Sequence, residues 1–154
     1  MKKEHTRDYV TEAFRLYAAM GQPTYERAKA DIYNAELAKH SGNNPSVAVA
    51  QAEAAVNNNA PMLLDILAAE RTMELLERGG KEYIVEAVKA VYFVRPTAPL
   101  RRGDISKRVR YHSLNCPADE RTIYRWLKEA RLLYAAIRGL RIAGVDIEKY
   151  RVVV

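Results

Sequence analysis

Basic side chains of a kind that bind nucleic acids recur at helical spacing near the C-terminal end of the chain. Arg121, Arg125 and Lys128 are three or four residues apart, and Thr122 and Tyr124 lie between them. In an α-helix this spacing places the three cations on one side, because each residue turns the chain by about 100°. Arginine can bind guanine through a bidentate fork, whereas lysine and threonine can hold phosphates. The pattern predicts a helix face that contacts DNA.

Charge is distributed unevenly along the chain. Residues 95–154 contain 14 Lys and Arg against 6 Asp and Glu, a net charge of +8, whereas residues 1–94 have a net charge of −2. This asymmetry, in a chain with a pI near 9.5, indicates a polyanion-binding module joined to a nearly neutral scaffold. The N-terminal N–H groups of the helices are expected to donate further hydrogen bonds to phosphate. The basic residues that precede the cationic face are also predicted to bind DNA: Arg101, Arg102, Lys107, Arg108 and Arg110.

Three predicted helices must position these side chains. They span Lys81–Val94, Asp104–His112 and Ala118–Arg138, with Asp104 as the N-terminal cap of the second. A short second helix, a brief turn and a longer third helix form the arrangement of a helix-turn-helix, whose last helix inserts its N-terminal residues into the major groove. The sequence therefore predicts a helix-turn-helix unit of three helices.

The third of these helices has two distinct faces. Beyond Arg131 its outward face changes from cationic to apolar, with Leu132, Ala135 and Ala136. Because a free recognition helix should stay polar there, we expect this half to pack either on the N-terminal helices or on the second subunit of a homodimer, which would read two half-sites. The remaining apolar residues fall in one sector about 120° wide, opposite the cations. They are Ile123, Trp126, Leu127, Ala130, Leu133, Tyr134 and Ile137.

Four more helices are predicted in the N-terminal part of the chain, the third of them capped by Ser46. The predicted fold is all-α, with a helical N-terminal part and a C-terminal three-helix helix-turn-helix unit. We divide the chain into a helical scaffold or oligomerisation region over residues 1–80, a DNA-binding domain over residues 81–140, and a tail over residues 141–154 that could be a short strand or disordered. The four helices span Glu4–Met20, Thr24–His40, Ser46–Val56 and Met62–Arg78.

The sequence contains no phosphate-binding loop, GxSxG elbow, HExxH pair or pair of catalytic carboxylates. We predict that the chain is not an enzyme and uses no cofactor. Its three histidines, His5, His40 and His112, do not share the spacing of metal ligands, so no metal site is expected. A single cysteine, Cys116, and the lack of a long apolar run predict a cytoplasmic protein of a bacterial host, associated with the nucleoid when bound to DNA and not with a membrane.

The segment Arg121–Arg131, RTIYRWLKEAR, resembles the end of the phage-encoded ArpU/RinA-type transcriptional regulators, a family that looks like region four of sigma factors. The order and spacing of Ala87–Tyr92 and of the short helix from Asp104 fit the same pattern, and the resemblance covers residues 81–140. It implies a protein that controls late phage or prophage genes. The matching positions that would face DNA are Arg121, Thr122, Arg125 and Lys128.

The predicted function is therefore sequence-specific binding of double-stranded DNA by a transcriptional regulator of phage or prophage origin. Two alternatives stay open. The first is a small-terminase-like subunit that recognises DNA for packaging, which should form a ring of many subunits rather than a monomer or dimer. The second is a helix-turn-helix module for protein interaction, whose basic face would contact an acidic surface of RNA polymerase.

Overall fold

A computed structural model describes the backbone of residues 2–140 and the side chains of residues 6–140. Within this range all regular secondary structure is α-helical, which confirms the predicted all-α class. The predicted tail at residues 141–154 lies outside the described residues. The helices, numbered in chain order, are α1 Lys2–Ala19, α2 Tyr25–Lys39, α3 Pro45–Asn58, α4 Ala60–Arg78, α5 Glu82–Tyr92, α6 Asp104–Asn115 and α7 Glu120–Arg138.

Local capping interactions define where two of the N-terminal helices begin. Thr24 precedes α2, and its hydroxyl accepts a hydrogen bond from the N–H of Arg27 at 3.1 Å. Asn44 precedes α3, and its side-chain oxygen accepts the N–H of Ser46 at 2.9 Å. The prediction that Ser46 caps α3 is therefore wrong. Pro45 occupies the first turn, where its fixed φ suits a helix, so the cap lies one residue earlier, at Asn44.

One hydrophobic core holds the helices together, and it contains buried side chains from every described helix except α3. Within it the Phe14 ring of α1 lies 5.9 Å from the Tyr92 ring of α5 and 5.3 Å from the Tyr134 ring of α7, measured between centroids. All three rings are buried, and aromatic pairs at these separations stabilise a core beyond their buried area. The core therefore crosses residue 80 and joins the N-terminal helices to α5, α6 and α7.

The C-terminal half of α7 is buried within the chain itself. Leu132, Ala135 and Ala136 are at most 8% exposed, and α7 packs against α1 and α4 as well as against α5 and α6. Of the two predicted explanations for these apolar residues, packing on the N-terminal helices is the one that the structure shows. A second subunit is not needed to cover them.

A largely buried carboxylate ties α1, α4 and α7 together. Asp65 of α4 has a side chain only 14% exposed, and its Oδ1 accepts hydrogen bonds from the hydroxyls of Tyr9 at 2.6 Å and Tyr134 at 3.2 Å. The same oxygen accepts a hydrogen bond from Nε of Arg138 at 2.8 Å. Burial and the charge of Asp65 raise the pKa of Tyr134, whose hydroxyl, protonated like any tyrosine at neutral pH, donates to the carboxylate. We call these four side chains the Asp65 cluster.

Asp65→Ala should lower the free energy of unfolding by about 3 kcal/mol, because the Arg138 guanidinium and the Tyr134 hydroxyl would lose their acceptor in a poorly hydrated site. Urea denaturation followed by circular dichroism measures this change. Tyr9→Phe removes a hydrogen bond from a side chain that is 41% exposed, and should cost about 1 kcal/mol. An Asp65→Ala protein as stable as the wild type would show that the Asp65 cluster does not hold the helices together.

Candidate nucleic-acid interface

The helices α5, α6 and α7 each pack against the other two in the C-terminal part of the chain. Val88 of α5, Val109 of α6 and Leu127 of α7 are fully buried in the core. Residues 116–119 connect the end of α6 to the start of α7. These contacts fix the orientation of α7, and with it the side chains on its outward face.

The outward face of α7 presents the predicted cations to solvent. Arg121, Arg125 and Lys128 are exposed, whereas Ile123 and Leu127 on the opposite face are fully buried. The helix is thus amphipathic in the phase that its sequence periodicity predicts. Because the apolar face is held by the core, the three cations cannot turn away from solvent without unpacking the helix.

Thr122 and Tyr124 flank this cationic face. Thr122 is half-buried, and its hydroxyl accepts a hydrogen bond from Nη2 of Arg125 at 3.2 Å. Tyr124 is 41% exposed and lines a groove of about 620 Å³ with Arg101 and Arg131. Two predicted site residues from separate segments, Arg101 and Tyr124, therefore line the same groove. Arg131 is a further basic residue of this groove that the sequence did not single out.

Acidic residues occupy the N-terminus of α7. Asp119 Oδ1 accepts the N–H of Thr122 at 2.8 Å, and hydrogen bonds from the hydroxyl and N–H of Thr122 lower the pKa of Asp119. Glu120 follows, and its Oε1 lies 3.9 Å from Nε of Arg110. Both carboxylates repel phosphate, and the N–H of Thr122 is already engaged, so the start of α7 is a poor place for phosphate. An anion at this surface must be bound by cationic side chains.

A turn before α6 carries Arg101 and Arg102, and both side chains are exposed. Gly103 adopts a left-handed φ of 88°, and Asp104 Oδ2 accepts the N–H of Arg101 at 2.8 Å. This hydrogen bond lowers the pKa of Asp104. The prediction that Asp104 caps α6 is wrong, because Gly103 is the cap residue and Asp104 is the first residue of the helix. Asp104 instead closes the turn that holds the two arginines ahead of α6.

Lys107 and Arg108 line a second groove, which they share with Ala90 and Val94 near the end of α5. Arg108 is half-buried, and its Nη1 donates a hydrogen bond to the carbonyl of Val91 at 2.9 Å. Burial lowers the pKa of the Arg108 guanidinium, as does the positive charge of the nearby Arg15. Arg108 thus satisfies a carbonyl at the C-terminal end of α5, a role that its residue type did not reveal.

Arg15 of α1 is a buried cation whose role was not predicted from the sequence. It is 2% exposed, and its Nη2 donates hydrogen bonds to the carbonyls of Arg95, Pro96 and Ala98. These bonds fix the loop that leads from α5 to the turn containing Arg101. No local pattern in the sequence could indicate this contact, because its partners lie at least 80 residues further along the chain.

In the described part of the chain, no helix is long and apolar enough to cross a membrane. No group of three or more His, Cys, Asp or Glu side chains in the same part is placed to hold a metal ion. Comparison of the chain with protein-family models, with characterised proteins and with solved structures finds no match. The resemblance to the ArpU/RinA-type regulators stays a prediction.

Arg15→Met should lower the free energy of unfolding by about 2 kcal/mol, because the loop carbonyls would lose a buried donor. It should also speed amide hydrogen exchange in residues 95–100, as measured by mass spectrometry. The control Arg78→Met removes an arginine side chain that is 73% exposed, and should change stability by less than about 0.5 kcal/mol. Unchanged exchange in the loop of Arg15→Met would contradict a role for Arg15 in fixing it.

Proposed function

We propose that this chain is a transcriptional regulator that binds double-stranded DNA sequence-specifically through the outward face of α7. The observation that carries the proposal is the exposure of Arg121, Arg125 and Lys128 on one side of a helix whose other side is locked into the core. A rigid row of cations suits the major groove, where a helix can bring side chains to base edges and phosphates together.

Each acidic residue next to this row also has a partner outside the row, although the charge of Asp119 is felt by Arg121 and Arg125 as well. Glu120 lies 3.9 Å from Arg110, and Glu129 is paired with Lys81 at 2.7 Å. Asp119 is engaged in capping α7. The positive potential of the outward face is therefore only partly compensated within the chain, which supports a polyanionic partner.

Each cation has a distinct part in the proposed complex. Arg121 and Arg125 bind base edges, because a guanidinium can form two parallel hydrogen bonds to guanine. Lys128, Arg101 and Arg102 hold phosphates, which fix the register of the protein on the duplex without reading its sequence. The hydrogen bond from Arg125 to the hydroxyl of Thr122 limits the freedom of the arginine before DNA binds.

The remaining predicted contacts fall into two groups. Tyr124 and Arg110 flank the row of cations and can reach the adjacent backbone. Lys107 and Arg108 are placed outside the primary DNA surface in this proposal, because they line the groove beside α5 and Arg108 is engaged with Val91. The proposed interface therefore contains fewer basic residues than the sequence alone predicted.

The phage or prophage origin of the regulator rests on the resemblance of the segment RTIYRWLKEAR to the ArpU/RinA-type proteins. Under this proposal the chain controls the transcription of late phage genes from a DNA site that it recognises. Light scattering separates such a regulator, a monomer or dimer, from the packaging alternative, which requires a ring of many subunits.

The proposal is tested by selecting the duplexes that bind best from a random pool. The affinity of the chain for the selected duplex is then measured by fluorescence anisotropy at increasing salt concentrations. About three to five phosphate contacts should give a slope of log K against log salt of roughly −3 to −4.5. A protein that selects no duplex, or that fails to bind duplex DNA at about 50 mM salt, would overturn the DNA proposal.

Arg125→Ala should weaken binding to the selected duplex by about 1–3 kcal/mol, roughly 5- to 150-fold, and should relax the preference at one base pair. Lys128→Ala should weaken binding to all duplexes about equally and reduce the salt slope by about one. Arg27→Ala, which removes a side chain 76% exposed in α2, is the control and should have no effect. An equal loss on selected and unrelated duplexes in Arg125→Ala would contradict base reading by Arg125.

A further inference from the structure

The groove beside the end of α5 and along α6 differs from the cationic face of α7. It has a volume of about 650 Å³, and its lining includes Ala90, Val94, Lys107, Arg108 and Tyr111. We call it the α5–α6 groove. We propose that this groove docks an acidic amphipathic helix of a partner protein, at a site separate from the proposed DNA surface.

Large apolar side chains at this surface are left in water. Val94 is 41% exposed, Tyr111 is 71% exposed, and Leu114, one helical turn beyond Tyr111, is 79% exposed. Tyr111 and Leu114 are the two most exposed of the large hydrophobic side chains that the structure describes. Residues three apart are neighbours on a helix surface, so these two form one apolar ridge on α6. Contiguous apolar surface of this kind is typical of a binding site for another protein.

The charge of the groove decides which partner fits. Its lining contains Lys107, Arg108 and His112, and none of its lining residues is acidic. Lys107 is exposed, whereas Arg108 keeps its positive charge beside the groove while donating to Val91. A partner that buries its apolar side chains here therefore gains from carboxylates around them. An acidic amphipathic helix combines these two properties and lies naturally in a groove between two helices.

The aliphatic residues of this surface favour a protein over a nucleic acid. Tyr111 offers a ring for stacking and Lys107 a donor for phosphate, but Ala90, Val94 and Leu114 offer neither. They bury area only against other apolar side chains. Because the cations proposed to read DNA lie on α7, a helix docked on the α5–α6 groove would leave them accessible.

The probe for this proposal is a labelled synthetic peptide of about 18 residues, with leucines at positions i, i+3, i+4 and i+7, glutamates beside them and helix-favouring alanines at the remaining positions. Its partner peptide has the same leucines and lysine in place of every glutamate. Fluorescence anisotropy with the full chain should show at least tenfold tighter binding of the acidic peptide. Equal binding of the two peptides, or no binding of either, would overturn the proposal.

Variants of the full chain locate the site. Tyr111→Ser combined with Leu114→Ser should weaken binding of the acidic peptide at least tenfold, whereas Leu64→Ser, at an apolar side chain 45% exposed on α4, should not. Lys107→Glu should weaken binding of the acidic peptide and strengthen binding of the lysine peptide, because the substitution reverses one charge at the groove. Circular dichroism melting of each variant checks that the fold is intact. If these substitutions leave the affinity for the acidic peptide unchanged, the proposal is also overturned.

Two other occupants have their own signatures. If the double variant Tyr111→Ser, Leu114→Ser no longer binds duplex DNA, this surface binds the nucleic acid. If the double variant loses a self-association that light scattering detects in the wild type, this surface binds a second copy of the chain. Either result in the absence of peptide binding overturns the docking proposal. Arg125→Ala should leave peptide binding unchanged, so failure of the DNA proposal and failure of the docking proposal are distinguishable.

Discussion

The structure depends on how α7 is buried. In its N-terminal half Ile123 and Leu127 are buried in the core, and in its C-terminal half Tyr134 contacts Phe14 of α1 while Arg138 contacts Asp65 of α4. A helix held along its whole length is rigid, which suits a surface that must match the spacing of base pairs. The same packing means that α5, α6 and α7 are not a free-standing unit, because part of the apolar surface of α7 is covered by α1 and α4.

Two polar contacts also link the C-terminal helices to the N-terminal helices. The Asp65 cluster joins α4 to α1 and to the end of α7, while Arg15 of α1 fixes the loop that precedes α6. Asp65, Tyr134 and Arg15 are largely shielded from water, so removing the partner of any of them leaves a poorly hydrated group unsatisfied rather than simply solvated. The N-terminal helices therefore position the row of cations on α7 and the turn that carries Arg101, although they contribute no predicted DNA contact themselves.

The sequence was sufficient for features whose cause is local. Alanine content and a capping residue predicted α3, and apolar periodicity predicted the other helices and the phase of α7, because a 3.6-residue repeat is set by neighbouring residues. The residue that caps α3 was harder to predict, because the side chains of Asn44 and Ser46 can both accept a backbone N–H. The position of Pro45 in the first turn decides between them. Arg15 could not be recognised, since its acceptors come from a loop far along the chain. The hydrogen bond of Arg108 to Val91 could not be foreseen for the same reason, because its acceptor belongs to α5.

The net charge of the last 60 residues overstates the positive charge that is available to bind a polyanion. Arg108 donates to a carbonyl of α5, Arg131 to the hydroxyl of Tyr92, and Arg138 to Asp65. These three arginines hold helices together, and their charges are partly withdrawn from solvent. What distinguishes a binding cation from a structural one is therefore the acceptor within reach, which depends on tertiary contacts and not on residue type. On α7 that distinction follows the helix surface, since the cations opposite the core are exposed while Arg131 and Arg138, nearer its edge, are engaged with α5 and α4.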